Sequence, residues 1–176
     1  MAPPDPPVAD PFGTALHDAA RALEAVLRAR GWRLGCAESC TGGLVAAAIT
    51  DLAGASDWFD RGFVTYSNRA KTDMLGVPAA LLETHGAVSR ETAAAMARGV
   101  LMHAPVQASL AITGIAGPGG GTRDKPVGLV WFAWAWTEGT QTHLHTESVV
   151  WPGDRHAVRL ASARHALLGL ARRLEA

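Results

Sequence analysis

Apolar positions recur every three or four residues from Thr14 onward, so that Leu16, Ala20, Leu23, Val26 and Leu27 share one helical face. Thr14 is placed to cap this first helix and Gly31 to stop it. WRLGCAES then reads as a short strand, and TGGLVAAAITDL behind it as a helix of small and apolar residues. A second strand is expected at GFVTYS, residues 62–67, and a short helix over 68–76 with Asn68 as its cap and Gly76 as its stop. Ser89 opens an Ala- and Met-rich helix over 89–103. ASLAITGIAG, residues 108–117, is the next strand, followed by a glycine-rich turn, PGGGTRDKP, over 118–126. VGLVWFAWAW, 127–136, is apolar on both faces, the mark of a central strand covered by helices on each side. THLHTESVV, 142–150, alternates as an edge strand does. A long amphipathic helix capped by Asp154 closes the chain.

Strands alternating with helices in this order predict a three-layer α/β/α domain with a mixed, mostly parallel sheet of about five strands. Short turns between the last strands place at least one antiparallel pair near an edge. The 176 residues suit one domain, expected over 13–176, with no internal repeat. Five of the ten prolines fall within the first eleven residues, so 1–12 read as a flexible leader.

Charge narrows the function. Sixteen basic residues balance sixteen acidic ones, which argues against a nucleic-acid or anionic-membrane partner. No apolar run approaches the roughly 20 residues of a membrane span. Two cysteines, Cys36 and Cys40, make neither a disulfide scaffold nor a zinc site, and the expectation is a reduced, soluble, cytoplasmic protein without metal or cofactor. His143 and His145 alternate along the edge strand with no accompanying carboxylate motif, which reads as surface rather than metal site. Arginine supplies all but two of the basic residues; Lys71 and Lys125 are the exceptions.

Three segments carry candidate chemistry. Glu38-Ser39-Cys40-Thr41-Gly42-Gly43 lies where a strand ends and a helix begins. Ligands of open α/β sheets gather at the carboxyl ends of strands. A helix start offers unpaired N–H groups and about half a positive charge, suited to an oxyanion or a phosphate. Gly42 and Gly43 allow close backbone approach, and Ser39 at the mouth would be a nucleophile. The plainer alternative is that Ser39 or Thr41 caps the helix and the glycines serve packing.

The second segment holds Tyr66, the single tyrosine, and Lys71 in the first turn of a helix, where the dipole opposes its charge. From an unperturbed pKa of about 10.4, reaching about 8 requires roughly 3 kcal/mol, more than the dipole's usual 0.3–1, so desolvation is needed as well. A neutral Lys71 beside Ser39 would make a serine–lysine pair with Tyr66 positioning a proton; a solvated lysine and a core-edge tyrosine are the alternative. The third segment, Thr113-Gly114 through Gly121, matches no nucleotide fingerprint and either lines a pocket or forms a turn. Arg155 and Arg159, four apart on one helical face, suit either a phosphate clamp or a solvated surface.

Taken together, AESCTGG (37–43), RGFVTYSNRAK (61–71), HGAVS (85–89), TGIAGPGGG (113–121), KPVGLVWFAW (125–134) and GDR (153–155) occur in order. The chain so read resembles the CinA C-terminal domain family over about residues 15–174. Stand-alone members of that family include nicotinamide-mononucleotide deamidases. The resemblance implies hydrolysis of the carboxamide of nicotinamide mononucleotide to nicotinate mononucleotide and ammonia without a metal. It implies Ser39 as nucleophile, Lys71 as general base and Tyr66 as their neighbour. Thr41, Gly42 and Gly43 would supply an oxyanion hole or hold the phosphate, Arg155 and Arg159 would meet the phosphate, and Thr113 and Gly114 would line the pyridine or ribose pocket. A homo-oligomer, dimer or larger, is implied too. Cys40 stands as the rival nucleophile. A non-catalytic nucleotide-binding or regulatory domain and an amidase of a related nucleotide are the competing functions.

Overall fold

The computed structural model describes residues 13–175; the proline-rich leader lies outside them. Twelve elements follow in chain order, among them α1 (Thr14–Arg30), β1 (Leu34–Glu38), α2 (Leu44–Thr50), a short 3-10 turn (Ala55–Asp57) and β2 (Phe59–Val64). Next come α3 (Asn68–Leu75), α4 (Ala79–His85), α5 (Arg90–His103) and β3 (Ala108–Gly114). The chain ends with β4 (Leu129–Glu138), β5 (Gln141–Val150) and α6 (Arg155–Glu175).

The five strands form one sheet in the order β2-β1-β3-β4-β5. β1 pairs in parallel with both β2 and β3, while β4 is antiparallel to β3 and to β5. Only β4 therefore runs against the rest, as a mixed, mostly parallel sheet requires. The chain steps from β1 to one side and then returns to the other, so β1 is the switch point, beyond whose carboxyl end such sheets place ligands.

Alternation along the strands divides the core in two. Leu34, Cys36, Leu110, Ile112, Val130, Phe132, Trp134 and Trp136 face the layer of α1, α2 and α6. The opposite face is built of small side chains, Ala37, Ala111, Ala133 and Ala135, with Gly35 and Ser109 beside them. That lets α5 lie close: a side chain at Gly35 would come within 2.5 Å of Val100, and Ser109 Oγ donates to Ala97 O at 2.9 Å. The apolar run in β4 is thus a central strand covered on both faces, presenting Phe132, Trp134 and Trp136 on one and Ala133 and Ala135, with a partly buried Trp131, on the other.

The structure departs from the sequence reading at several boundaries. Gly13, not Thr14, precedes α1 as its cap, with no side-chain bond. β2 begins at Phe59 and ends at Val64, because its partner β1 ends at Glu38, opposite Val64. Ser67 rather than Asn68 caps α3, its Oγ accepting from Ala70 N at 3.0 Å. The seven-residue α4 is an addition to the expected elements. Ser89 caps α5, and Asp154 Oδ1 accepts from Ala157 N at 2.8 Å at the start of α6.

α5 also packs on α3 at Gly99, where any Cβ would collide with the Leu75 carbonyl. Alanine normally gains nearly 1 kcal/mol over glycine inside a helix, but overpacking against backbone costs about 1–3 kcal/mol or more. Gly99→Ala is therefore expected to lose about 2 kcal/mol, read as a lowered urea midpoint. An unchanged or raised midpoint would contradict this packing.

Candidate active site

Three parallel strands deliver their carboxyl ends to one place. Ser39 follows β1, Thr65 and Tyr66 follow β2, and Thr113 and Gly114 end β3. Since β4 is reversed, the 115–128 connection starts and finishes at this same end. Ser39, Tyr66, Thr113 and Gly114 enclose a cavity of about 290 Å3 with Cys40, Lys71, Ala87, Val88, Ile115, Ala116, Gly117, Gly119, Gly120 and Arg155.

At its floor, Lys71 Nζ lies 3.1 Å from Ser39 Oγ and donates to Thr65 O at 2.8 Å. Lys71 is 1% exposed and Ser39 8%. Burial lowers the lysine to about 8, opposed only by the nearby Cys40 sulfur. A displacement of this size corresponds to about 3 kcal/mol disfavouring the charged form. Cys40 is also buried, and there burial pushes the thiol up to about 11, so it is a thiol at neutral pH. Of the two adjacent nucleophile candidates, Ser39 is the one in contact with a base.

The mouth is framed by Arg155. Its Nη1 donates to Gly117 O at 2.9 Å and its Nη2 to the Tyr66 hydroxyl at 3.0 Å. Tyr66, 63% exposed, is thus tied to the rim and does not touch the Ser39–Lys71 pair through any hydrogen bond among the described residues. Thr113 Oγ1 donates to Ala87 O at 2.7 Å, joining the end of β3 to the α4–α5 link. Gly114 is required by close approach, because a Cβ there would lie 2.8 Å from Leu129 O.

The expected anion cradle at the start of α2 is not open. The Glu38 carboxylate, fully buried, accepts from the amides of Gly43 and Val45 at 3.1 Å and of Ala46 at 3.0 Å. Gly42 N is taken by Ser39 O at 3.1 Å. An internal carboxylate thus occupies the positive helix end that a ligand would otherwise meet. Thr41, Gly42, Gly43 and Arg159 lie outside the cavity lining. Arg159 turns to the back of the loop, donating to Cys40 O at 3.1 Å and Thr41 O at 3.0 Å. The amides of Cys40 and Thr41 have no acceptor among the described residues.

Sequence reasoning therefore passed over Glu38, Thr65 and the Ala87–Val88 wall. The signal for Glu38 was its place, an acid at the end of a fully buried strand one residue before a helix-start loop. Among the described residues no cluster of His, Cys, Asp or Glu is arranged to hold a metal ion, and no helix is long and apolar enough to cross a membrane.

Residues 16–174 match the CinA C-terminal domain family. The nicotinamide-nucleotide amidohydrolase PncC of Enterobacter agglomerans is 52% identical over 148 residues, covering 84% of this chain and 88% of that protein. A CinA-like protein of Akkermansia muciniphila is 52% identical over 141 residues, which span 79% of this chain and 33% of that longer protein. The crystal structure of the competence/damage inducible protein CihA from Agrobacterium tumefaciens matches with a TM-score of 0.87 at 43% identity, over 96% of this chain and 100% of that one.

Proposed function

The chain belongs to the CinA C-terminal domain family, and on that footing we propose that it hydrolyses the carboxamide of nicotinamide mononucleotide to nicotinate mononucleotide and ammonia. The observation that carries this reading is the 3.1 Å separation of Lys71 Nζ from Ser39 Oγ at the floor of the cavity. A nicotinamide-nucleotide amidohydrolase that is 52% identical and covered over 88% of its length supports the substrate.

An amide is a weak electrophile, so the serine must lose its proton as it attacks. Neutral Lys71 offers a lone pair to the Ser39 hydroxyl while one N–H stays on Thr65 O. The proton moves to Nζ, Oγ bonds to the carboxamide carbon, and the carbonyl oxygen becomes an oxyanion. The unengaged amide of Cys40, a cavity-lining residue on the loop that carries Ser39, is the backbone donor available to it. Collapse passes the Nζ proton to the departing nitrogen and releases ammonia. Water, deprotonated by Lys71, then cleaves the Ser39 ester. Arg155 supplies the permanent positive charge at the mouth for the substrate phosphate.

The pH dependence follows from the base. With Lys71 at about 8, roughly one molecule in ten is neutral at pH 7 and half at pH 8. Because the neutral form is the active one, kcat is expected to rise about fivefold from pH 7 to 8 and level off above about 9. A rate that falls over this range would reverse the assignment of the base.

Ammonia release from nicotinamide mononucleotide tests the reading as a whole. Ser39→Ala is expected to reduce turnover by about a thousandfold or more, whereas Cys40→Ala retains it. The opposite pattern would make Cys40 the nucleophile, and no turnover by folded wild type would remove the substrate assignment.

A further inference from the structure

One buried group at the Ser39–Lys71 pair lacks a partner. Thr65 is fully buried, its amide donates to Glu38 O at 2.8 Å, and its carbonyl accepts from Lys71 Nζ at 2.8 Å. It therefore bridges the residue before the nucleophile and the base itself. Its Oγ1, however, has no hydrogen-bond partner among the described residues. Nζ has two partners there, Ser39 Oγ and Thr65 O. An ammonium carries three N–H bonds, so a protonated Lys71 leaves one without an acceptor. Buried polar groups rarely stay unpaired, and a threonine side chain has more than one accessible χ1 well. Oγ1 belongs to the same residue whose carbonyl already touches Nζ.

We infer that the Thr65 hydroxyl is a positioning group for the base, accepting the third N–H of Lys71 once the Ser39 proton has moved to Nζ. The covalent balance is unchanged: the Oγ–H bond of Ser39 breaks, an Nζ–H bond forms, and the oxygen electron pair goes to the carboxamide carbon. Thr65 gains a hydrogen bond as positive charge develops and releases it when the proton passes to the leaving ammonia. The ionisable groups sharing the site are Cys40, Tyr66 and Arg155. On α3 itself, Arg69 and Asp73 pair with one another at the surface. The ionisable residues of α4 and α5, namely Glu83, His85, Arg90, Glu91, Arg98 and His103, lie at or near the surface.

The inference deepens the proposed function and rests on it only for its kinetic arm. The chain has two lysines, Lys71 and Lys125, so protein labelled with 13C at lysine Cε shows two lysine signals, and Lys125→Arg identifies the second. In Thr65→Val the Lys71 midpoint is expected to move down by about half a pH unit, because an acceptor for the charged form is gone. Plateau kcat is expected to fall about tenfold, with KM within about twofold and Thr65→Ser close to wild type. Thr41 also has an unpartnered buried hydroxyl, but its carbonyl is held by Arg159 rather than by the base, so Thr41→Val serves as control. Thr65→Ala carries the same test should the valine variant not fold. The inference is overturned if the Thr65→Val midpoint and kcat match wild type, if Thr65→Ser behaves as Thr65→Val does, or if Thr41→Val gives the same displacement. Should wild type leave nicotinamide mononucleotide intact while the midpoint moves as expected, the substrate assignment falls and the positioning role stands.

Discussion

Lys71→Arg is expected to lower kcat for nicotinamide mononucleotide about a thousandfold or more, although it preserves the charge. In the proposed mechanism Lys71 is the base, and burial brings it to about 8, where half the molecules carry a free lone pair. A guanidinium stays protonated throughout the working pH range and presents donors only, so it has nowhere to put the Ser39 proton. General-base catalysis is typically worth 10²–10⁴, and in the proposed mechanism the same group also protonates the leaving nitrogen. The loss should fall on kcat, because the rim residues proposed to meet the rest of the substrate, Arg155 above all, are untouched. Steady-state kinetics at pH 8, with thermal unfolding to confirm a folded variant, decide the matter. Turnover within tenfold of wild type would end the serine–lysine account.

The second large effect is on stability. Glu38→Ala removes the acceptor for three amides at once, those of Gly43, Val45 and Ala46. A buried donor left unpaired costs about 1–3 kcal/mol. Water entering the gap offsets part of the sum, leaving an expected loss of about 4 kcal/mol. Against a total stability of about 5–15 kcal/mol, that brings the domain near unfolding at body temperature. Glu38→Gln keeps the volume but turns one acceptor into an NH2 facing N–H donors, and is expected to lose about 2 kcal/mol. Both variants should lose activity too, since Ser39 is the next residue and shares the loop. Urea unfolding supplies the check: a Glu38→Ala midpoint equivalent to less than about 1 kcal/mol of loss would show that this carboxylate does not hold the loop.

Local patterns made some of this legible and concealed the rest. The strand–loop–helix around Ser39 could be read because a short strand-like run meets a pair of glycines and then a run of small and apolar residues. Lys71 stood out because a cation near a helix start works against the dipole. The expected need for desolvation is met by the 1% exposure of its side chain. The bonds of Glu38 were not legible beyond its place at the strand end, because nothing local says that the helix starting six residues later turns its amides back on it. Arg155 and Arg159 looked equivalent from their spacing. One turn of α6 separates them, which puts one at the rim beside Tyr66 and the other behind Cys40 and Thr41. The limits of β2 were invisible for a similar reason, as a strand ends where its neighbour does. Short α4 lacks enough periods to register as a helix at all.

The lone reversed strand has a consequence for how this site can change. A parallel successor to β3 would have required a crossover carrying the chain to the far end of the sheet. With β4 antiparallel, residues 115–128 leave and rejoin the sheet at the same end. They form one wall of the cavity and, among the described residues, lend only Ala116 to the buried apolar core. Insertions, deletions or whole-loop exchange between relatives there need not re-register a single strand. The wall is in effect a replaceable cassette, through which substrate preference can diversify while Ser39 and Lys71 stay fixed.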